Sequence, residues 1–170
     1  LDKMDHGSTE APGDLNDVLL PLIQGAIEEV RDIYMGLRPS ILDDLGIIAT
    51  INWYCRELHN AYPDIHVEHS IDIDESEIPD ELKIVMFRVL QEGLDNVARH
   101  SQADQVEVSL RKKNNTVEFT LQDNGIGFQP HETGAAGRAD QGMGLSSMKE
   151  RVELAGGHFA LQSGSGSGTL

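Results

Sequence analysis

Apolar residues recur at intervals of three and four along several stretches of the chain, the spacing that gathers side chains on one face of a helix. The first stretch has the a/d repeat typical of a helix that packs against other helices: Leu19, Ile23, Ala26, Val30, Ile33 and Leu37. Arg38-Pro39 predicts the end of this helix, because a residue that precedes proline is disfavoured in the α conformation.

Three more helices follow from the same spacing. A connector at residues 43–46 precedes a helix that places four residues on one face: Ile47, Ile51, Tyr54 and Leu58. A long helix is predicted from residues 78–81 to about His100. A further helix is predicted over residues 144–155, where Gly156 and Gly157 form a C-cap signal.

Alternating apolar and polar residues predict strands elsewhere. Residues 65–73 alternate cleanly, and two segments around 106–110 and 117–121 flank a short polar turn, which predicts a hairpin. A short strand is predicted at residues 159–162. Helices on one mixed, mostly antiparallel sheet indicate an α+β fold, a two-layer sandwich, preceded by one dimerisation-type helix.

Three segments lack either periodicity. Residues 1–13 are polar and predict a disordered leader or an expression remnant. Residues 129–141 combine glycines and charges and predict a long mobile loop. The run at residues 163–168 alternates serine and glycine, and is either a flexible linker or a tight turn that enters a final strand.

Charge narrows the possible ligands. The chain has 13 basic and 29 acidic residues and a formal net charge of −16, which argues against nucleic acid and against anionic membrane surfaces. An anionic ligand would therefore need backbone N–H groups, a few placed cations or a bridging metal.

Cys55 is the only cysteine, which fits a cytoplasmic protein, and no apolar run is long enough to span a bilayer. Any membrane attachment would use segments absent from this sequence.

The third predicted helix carries a polar line beside its apolar stripe. Arg88, Glu92, Asn96 and His100 are spaced by four and so share one side of the helix. A carboxylate and a carboxamide on adjacent turns can offer oxygen ligands to Mg²⁺, which prefers one or two such ligands plus waters and phosphates. The alternative is that the line is the solvated edge of an amphipathic helix.

Two glycine-containing segments follow in order. Asp123-Asn124-Gly125-Ile126-Gly127 comes directly after a strand, where glycines permit close backbone approach and an aspartate can accept a hydrogen bond from an adenine amino group. Gly142-Met143-Gly144-Leu145 stands at the predicted start of a helix, where N–H groups can bind an anion. Each segment alone is equally explained by an ordinary turn or loop, but their order and spacing after Glu92 and Asn96 favour a nucleotide site.

These segments resemble the nucleotide-binding boxes of the superfamily of histidine kinases, gyrase-type topoisomerases, Hsp90-type chaperones and mismatch-repair ATPases. Residues 91–100 resemble the N box, residues 123–127 and 142–145 the two glycine boxes, and Gly168-Thr169 the last box. Residues 37–46 resemble the join between dimerisation helices and catalytic domain in the nitrate-sensor and thermosensor-like subfamily of histidine kinases. The similarity covers roughly residues 19–170.

The resemblance implies a Bergerat-type fold and a division into a leader at 1–13, a partial dimerisation helix and connector at 14–45, and an ATP-binding catalytic domain at 46–170. It implies that Glu92 positions or deprotonates the attacking histidine, or acts through a metal-bound water, and that Asn96 ligates Mg²⁺. The other ATP-binding residues that it implies are Arg99, His100, Asp123, Gly125, Gly127, Gly142, Gly144, Leu145 and Thr169. Residues 129–141 would be a lid over ATP.

The implied activity is transfer of the ATP γ-phosphoryl group to a histidine, for relay to the receiver domain of a response regulator, by a protein that is a homodimer at full length. The accepting histidine is expected outside this sequence, because His6 has no helical context and His59 lies after the join, on the wrong helix. Two alternatives stay open: an anti-sigma-type serine kinase, and a non-catalytic dimerisation or scaffold domain with a degenerate pocket.

Overall fold

A computed structural model describes residues 40–128 and 139–170, together with positions 19, 20, 22, 23, 25 and 26; of residues 139–142 it describes the backbone alone. The chain divides into two compact units, Leu1–Leu37 and Arg38–Leu170. In the first unit the six described positions are helical, in agreement with the heptad pattern. The leader at 1–13, the heptad positions Val30, Ile33 and Leu37, and residues 129–138 of the predicted loop lie outside the described residues.

The second unit begins with helix α1, Ser40–Ala61, which is interrupted at Gly46 (φ 85°, ψ −175°). The predicted connector at residues 43–46 is therefore helical up to a break at one glycine, whose positive φ costs it little. The predicted inner face is confirmed, since all four of its residues are buried: Ile47, Ile51, Tyr54 and Leu58.

The other elements follow in the predicted order. Strand β1 is His66–Asp72, a 3₁₀ turn is Glu75–Glu77, helix α2 is Asp80–Asn96, and a π-helical turn, Val97–Ser101, completes the predicted long helix. Strands β2 and β3 are Gln105–Lys113 and Thr116–Asp123, and helix α3 is Ala139–Leu154. None of the described helices is both long enough and apolar enough to cross a membrane.

The sheet has the order β1-β2-β3, with β1 parallel to β2 and β2 antiparallel to β3. The predicted hairpin is confirmed: Asn114 and Asn115 both have positive φ (49° and 66°), as a two-residue turn between twisted strands requires. The inner face of β2 buries Val106, Val108 and Leu110 completely. Helix α1 packs on α2 and on β1, so the α+β two-layer arrangement with a mixed sheet is confirmed.

The chain after α3 differs from the prediction. Residues 159–161 have no ladder partner among the described residues, and Gln162 pairs only with Leu170. The predicted strand at 159–162 is therefore not formed among the described residues, although Gln162 and Leu170 exchange two backbone hydrogen bonds (2.7 and 2.8 Å). Residues 163–168 form the tight turn rather than the linker: Ser167 N–H donates to Gly164 O (2.9 Å), and Thr169 bridges both Asp123 and Ser163.

Glu75 secures the break in α1. Its Oε1 accepts the N–H of Ile47 and its Oε2 that of Ile48, both at 3.0 Å, so one carboxylate caps the helix segment that restarts after Gly46. Lys83 Nζ lies 3.0 Å from the same Oε1. Burial alone would raise the pKa of Glu75, but the Ile48 N–H, the Lys83 ammonium and the Ile47 N–H together lower it.

Replacing Glu75 with Gln should lower the free energy of unfolding at pH 7 by about 1–2 kcal/mol, because an ionised acceptor of two N–H groups is lost. A carboxyl group whose pKa is lower in the folded state stabilises the protein above the pH where a free glutamate titrates, about 4.3, and loses this contribution as pH falls through the folded pKa. The variant should therefore lose less stability than the native chain between pH 7 and pH 3.

Urea denaturation at the two pH values measures both effects. Glu107→Gln is the control, since Glu107 is exposed on β2. Equal losses for the two variants would contradict the capping role of Glu75.

Candidate functional site

An open cleft of about 1490 Å³ lies beside α2, β3, α3 and the final turn. Seven residues that the sequence singled out line it: Asn96, Arg99, His100, Asp123, Gly127, Leu145 and Thr169. They come from four segments that are far apart in the chain. The fold therefore brings most of the predicted site together in one place.

Asp123 ends β3 at this cleft and is only 5% exposed. Its Oδ1 accepts the N–H of Gly125 at 2.8 Å. No group in the described part of the chain donates a hydrogen bond to its Oδ2, so one oxygen of a buried carboxylate is left to accept from a ligand. Backbone bonds join Asp123 to Thr169, N to O at 2.9 Å and O to N at 3.3 Å, and hold the two residues side by side.

Gly125 and Gly127 lie so close to neighbouring backbone atoms that a side chain does not fit at either position. A Cβ on Gly125 would fall on the carbonyl oxygen of Ser101, which also accepts the Ile126 N–H at 2.8 Å. Gly127 has φ +60°, and a Cβ there would fall on Gly164 O. Gly125 therefore packs behind the cleft, against the π-helical turn, and close approach between segments explains both glycines.

Asn124 is a structural residue whose role the sequence analysis missed. Its Oδ1 accepts the N–H groups of Asp104 (3.2 Å) and Gln105 (3.1 Å), and its Nδ2 donates to Asp104 Oδ1 (2.7 Å). These bonds fasten the turn after Asp123 to the start of β2. Only its place beside Asp123 in an Asp-Asn-Gly sequence, common in turns, hinted at this.

The end of α2 presents two polar atoms that lack partners. Asn96 Nδ2 and His100 Nδ1 are buried and unbonded among the described residues, and both residues line the cleft. Arg99 lies between them in the chain and is exposed. Buried polar atoms are nearly always bonded in native proteins, so this pair indicates a polar ligand at the π-helical turn.

These side chains suit a phosphate ligand better than a protein-enclosed metal. Within the described ranges no group of three or more His, Cys, Asp or Glu residues could hold a metal ion. The amide oxygen of Asn96 is nevertheless the hard type of ligand that Mg²⁺ accepts when waters and phosphates complete its coordination. The residues present therefore fit a magnesium ion that arrives with a phosphate ligand.

Glu92 is outside the cleft lining. It faces α3, where a Cβ on Gly144 would fall on Glu92 Oε1. The expectation that the helix begins at about Gly144, with Gly142 before it, is wrong, since α3 begins at Ala139 and includes both glycines. An intrahelical N–H is bonded four residues back, so in this conformation Gly144 presents no free donor.

The fold and the cleft define a class: an α+β domain with a mixed sheet and a ligand cleft at the end of one strand. The model of the histidine kinase-, DNA gyrase B- and HSP90-like ATPase family matches residues 81–170, more than half of the chain. The chain belongs to this ATPase family.

Curated relatives are sensor kinases. The chain is 35% identical over 148 residues to the oxygen sensor histidine kinase NreB of Staphylococcus carnosus, covering 85% of this chain and 40% of that protein. It is 30% identical over 165 residues to the signal transduction histidine-protein kinase/phosphatase DegS of Brevibacillus brevis, covering 97% of this chain and 41% of that protein. The chain thus spans about two fifths of the length of these relatives.

The fold has a solved counterpart. The histidine kinase domain of a blue-light activated histidine kinase from Erythrobacter litoralis matches with a TM-score of 0.55 and 20% identity, over 71% of this chain and 56% of that one. At this identity the match concerns the fold alone.

Proposed function

We propose that this chain binds Mg²⁺-ATP and is the catalytic part of a sensor histidine kinase, transferring the γ-phosphoryl group to a histidine outside this sequence. One observation carries the proposal. A buried carboxylate with a free oxygen, Asp123, lies on the same cleft as two buried polar atoms without partners, on Asn96 and His100. An adenine amino group and a phosphate chain, joined in one molecule, would satisfy both ends.

Each cleft residue then has a chemical task. Asp123 accepts a hydrogen bond from the adenine amino group, with Thr169 beside it. Asn96 ligates Mg²⁺, which neutralises phosphate charge when bound. Arg99 and His100 supply the cationic and donor groups that an acidic chain cannot supply through its bulk field. Phosphoryl transfer depends mainly on positioning and charge stabilisation, which suits so few side chains.

Glu92 is the proposed group that orients or deprotonates the attacking histidine. Its carboxylate lies against Gly144, so it must be uncovered for that histidine to reach it. We propose that residues 129–141, with Gly142, Gly144 and Leu145, rearrange when the nucleotide binds and that the glycine N–H groups then meet the phosphates.

The wider context is also a proposal. Residues 46–170 form the catalytic domain in this scheme, residues 14–45 are part of a dimerisation helix and its connector, and the full-length protein is a homodimer. The relatives are named as sensor and signal transduction kinases, which supports a receiver domain of a response regulator as partner and a cytoplasmic site of action. His59 is not the acceptor in this scheme; its Nδ1 already contacts Ile65 O at 3.1 Å.

Calorimetric titration of the native chain with ATP, with and without Mg²⁺, tests the proposal. We expect binding that Mg²⁺ strengthens on the order of tenfold, about 1.4 kcal/mol. Asn96→Ala should gain little from Mg²⁺, because the ligating oxygen is gone. It should also bind free ATP more weakly than the native chain, because the amide no longer donates to the phosphates. Asn60→Ala makes the same change at an exposed position of α1 outside the cleft lining and serves as the control.

Two results would point elsewhere. If Mg²⁺-ATP neither binds nor raises the melting temperature, a degenerate scaffold domain is favoured, because a ligand specific for the folded state must stabilise it. If added acceptor proteins gain an acid-stable rather than an acid-labile phosphoryl group, the chain is a serine kinase.

A further inference from the structure

We infer that Ser163 is a positioning residue that sets the preference of the site for ATP over GTP, an inference that rests on the proposed function. Its hydroxyl lies where two distant segments meet. Ser163 Oγ accepts the N–H of Phe128 at 2.9 Å and donates to Gly168 O at 2.9 Å. Its Oγ is also 3.3 Å from Thr169 Oγ1.

The number of protons on the Ser163 hydroxyl determines which way the Thr169 hydroxyl donates. A serine hydroxyl has one proton and two lone pairs. Because the Ser163 proton is given to Gly168 O, the bond between the two hydroxyl groups must run from Thr169 to Ser163. Thr169 Oγ1 is then left with lone pairs alone, as an acceptor at the cleft, beside the free carboxylate oxygen of Asp123.

Two adjacent acceptors discriminate between purines. The six-position of adenine has an amino donor, whereas that of guanine has a carbonyl acceptor. Acceptors at Asp123 and Thr169 would accept a hydrogen bond from the adenine amino group, directly or through a water, and would repel the guanine carbonyl. Without the Ser163 hydroxyl, the Thr169 proton is free to turn toward the ligand, and the site loses part of this selectivity.

The same hydroxyl fixes where Thr169 lies. Phe128 follows the segment that begins at Asp123, and Gly168 N–H donates to Gly125 O at 2.9 Å. Ser163 therefore joins both sides of the adenine end of the cleft through one side chain. Ser167, in the same turn, is exposed and its hydroxyl has no bond among the described residues, so it provides a matched control.

The experiment measures the dissociation constants of Mg²⁺-ATP and Mg²⁺-GTP by calorimetry for the native chain, four single variants and one double variant. Ser163→Ala should weaken ATP binding about tenfold and change GTP binding less than about threefold, a size that corresponds to one or two lost hydrogen bonds. Ser163→Thr, which keeps the hydroxyl, should retain most of the preference, and Ser167→Ala should retain all of it. Thr169→Val should lose ATP preference like Ser163→Ala, and the two changes combined should cost less than their sum.

Equal weakening of both nucleotides by Ser163→Ala would reveal a merely structural role and overturn the inference, as would no change in either. Circular dichroism checks folding, and if Ser163→Ala does not fold, the ATP-to-GTP ratio of Thr169→Val decides: an unchanged ratio overturns the inference. A native chain that binds neither nucleotide overturns the proposed function itself, a result distinct from an effect confined to the variants.

Discussion

Replacing Asp123 with Asn is expected to weaken ATP binding about 100-fold and to leave the fold intact. The amide oxygen of the asparagine can still accept the Gly125 N–H, which Asp123 Oδ1 accepts now at 2.8 Å. The free Oδ2, however, becomes an NH₂ group. An acceptor for the adenine amino group is thus exchanged for a second donor, and the loss of one charged hydrogen bond plus a donor–donor contact reaches this size.

Calorimetry with Mg²⁺-ATP measures the loss, and urea denaturation checks that stability is unchanged. Asp72→Asn makes the same chemical change at the exposed end of β1 and should have no effect on binding. Binding by Asp123→Asn within about threefold of the native chain would show that this carboxylate does not recognise the base.

The order and type of the main elements could be predicted from the sequence because burial in this fold follows simple periods. Ile47, Ile51, Tyr54 and Leu58 recur at helical spacing and are all buried. Val106, Val108 and Leu110 alternate and are all buried. The hairpin was predictable since two asparagines tolerate the positive φ that its turn needs.

Boundaries were less predictable, because tertiary contacts decide them. Glycine disfavours helix interiors, so a helix start at about Gly144 was the natural expectation, yet α3 begins at Ala139 and includes Gly142 and Gly144. At Gly144 the absent side chain lets the helix lie against Glu92, a contact that helical propensity does not express. Residues 159–162 alternate like a strand, yet among the described residues only Gln162 has a backbone partner, Leu170.

The residues of the candidate site also differ in how far the sequence alone can predict them. Residues that carry charge or a ligating oxygen, such as Asp123 and Asn96, can be singled out by chemical type and spacing. Ser163 and Asn124 cannot, because their roles lie in bonds to residues 35 and 20 positions away. Such bonds depend on how segments meet in space. A Ser-Gly run can have the same composition whether it forms a flexible linker or a turn that is hydrogen-bonded to another segment.

Gly168→Ala tests whether close packing holds the final turn against the segment that begins at Asp123. We expect this change to destabilise the protein by about 3 kcal/mol and to abolish nucleotide binding. Gly168 has φ +69°, and a Cβ there would fall on Asp123 O, with Asn124 Cα at 3.1 Å. A left-handed conformation costs an L-residue about 1–2 kcal/mol, and overpacking against rigid backbone adds about 1–3 kcal/mol. The strain can be relieved only by separating Thr169 from Asp123.

Gly166→Ala is the matched control. Gly166 has a similar φ of +74°, but no atom lies within 4 Å of a Cβ built there, so only the conformational cost of about 1 kcal/mol applies and binding should persist. Urea denaturation and calorimetry with Mg²⁺-ATP compare the two variants. If both variants lose the same stability and still bind ATP, the close contact between Gly168 and Asp123 does not hold Thr169 beside Asp123. If Gly168→Ala alone loses more stability and no longer binds ATP, backbone packing at Gly168 determines where the recognition residues lie.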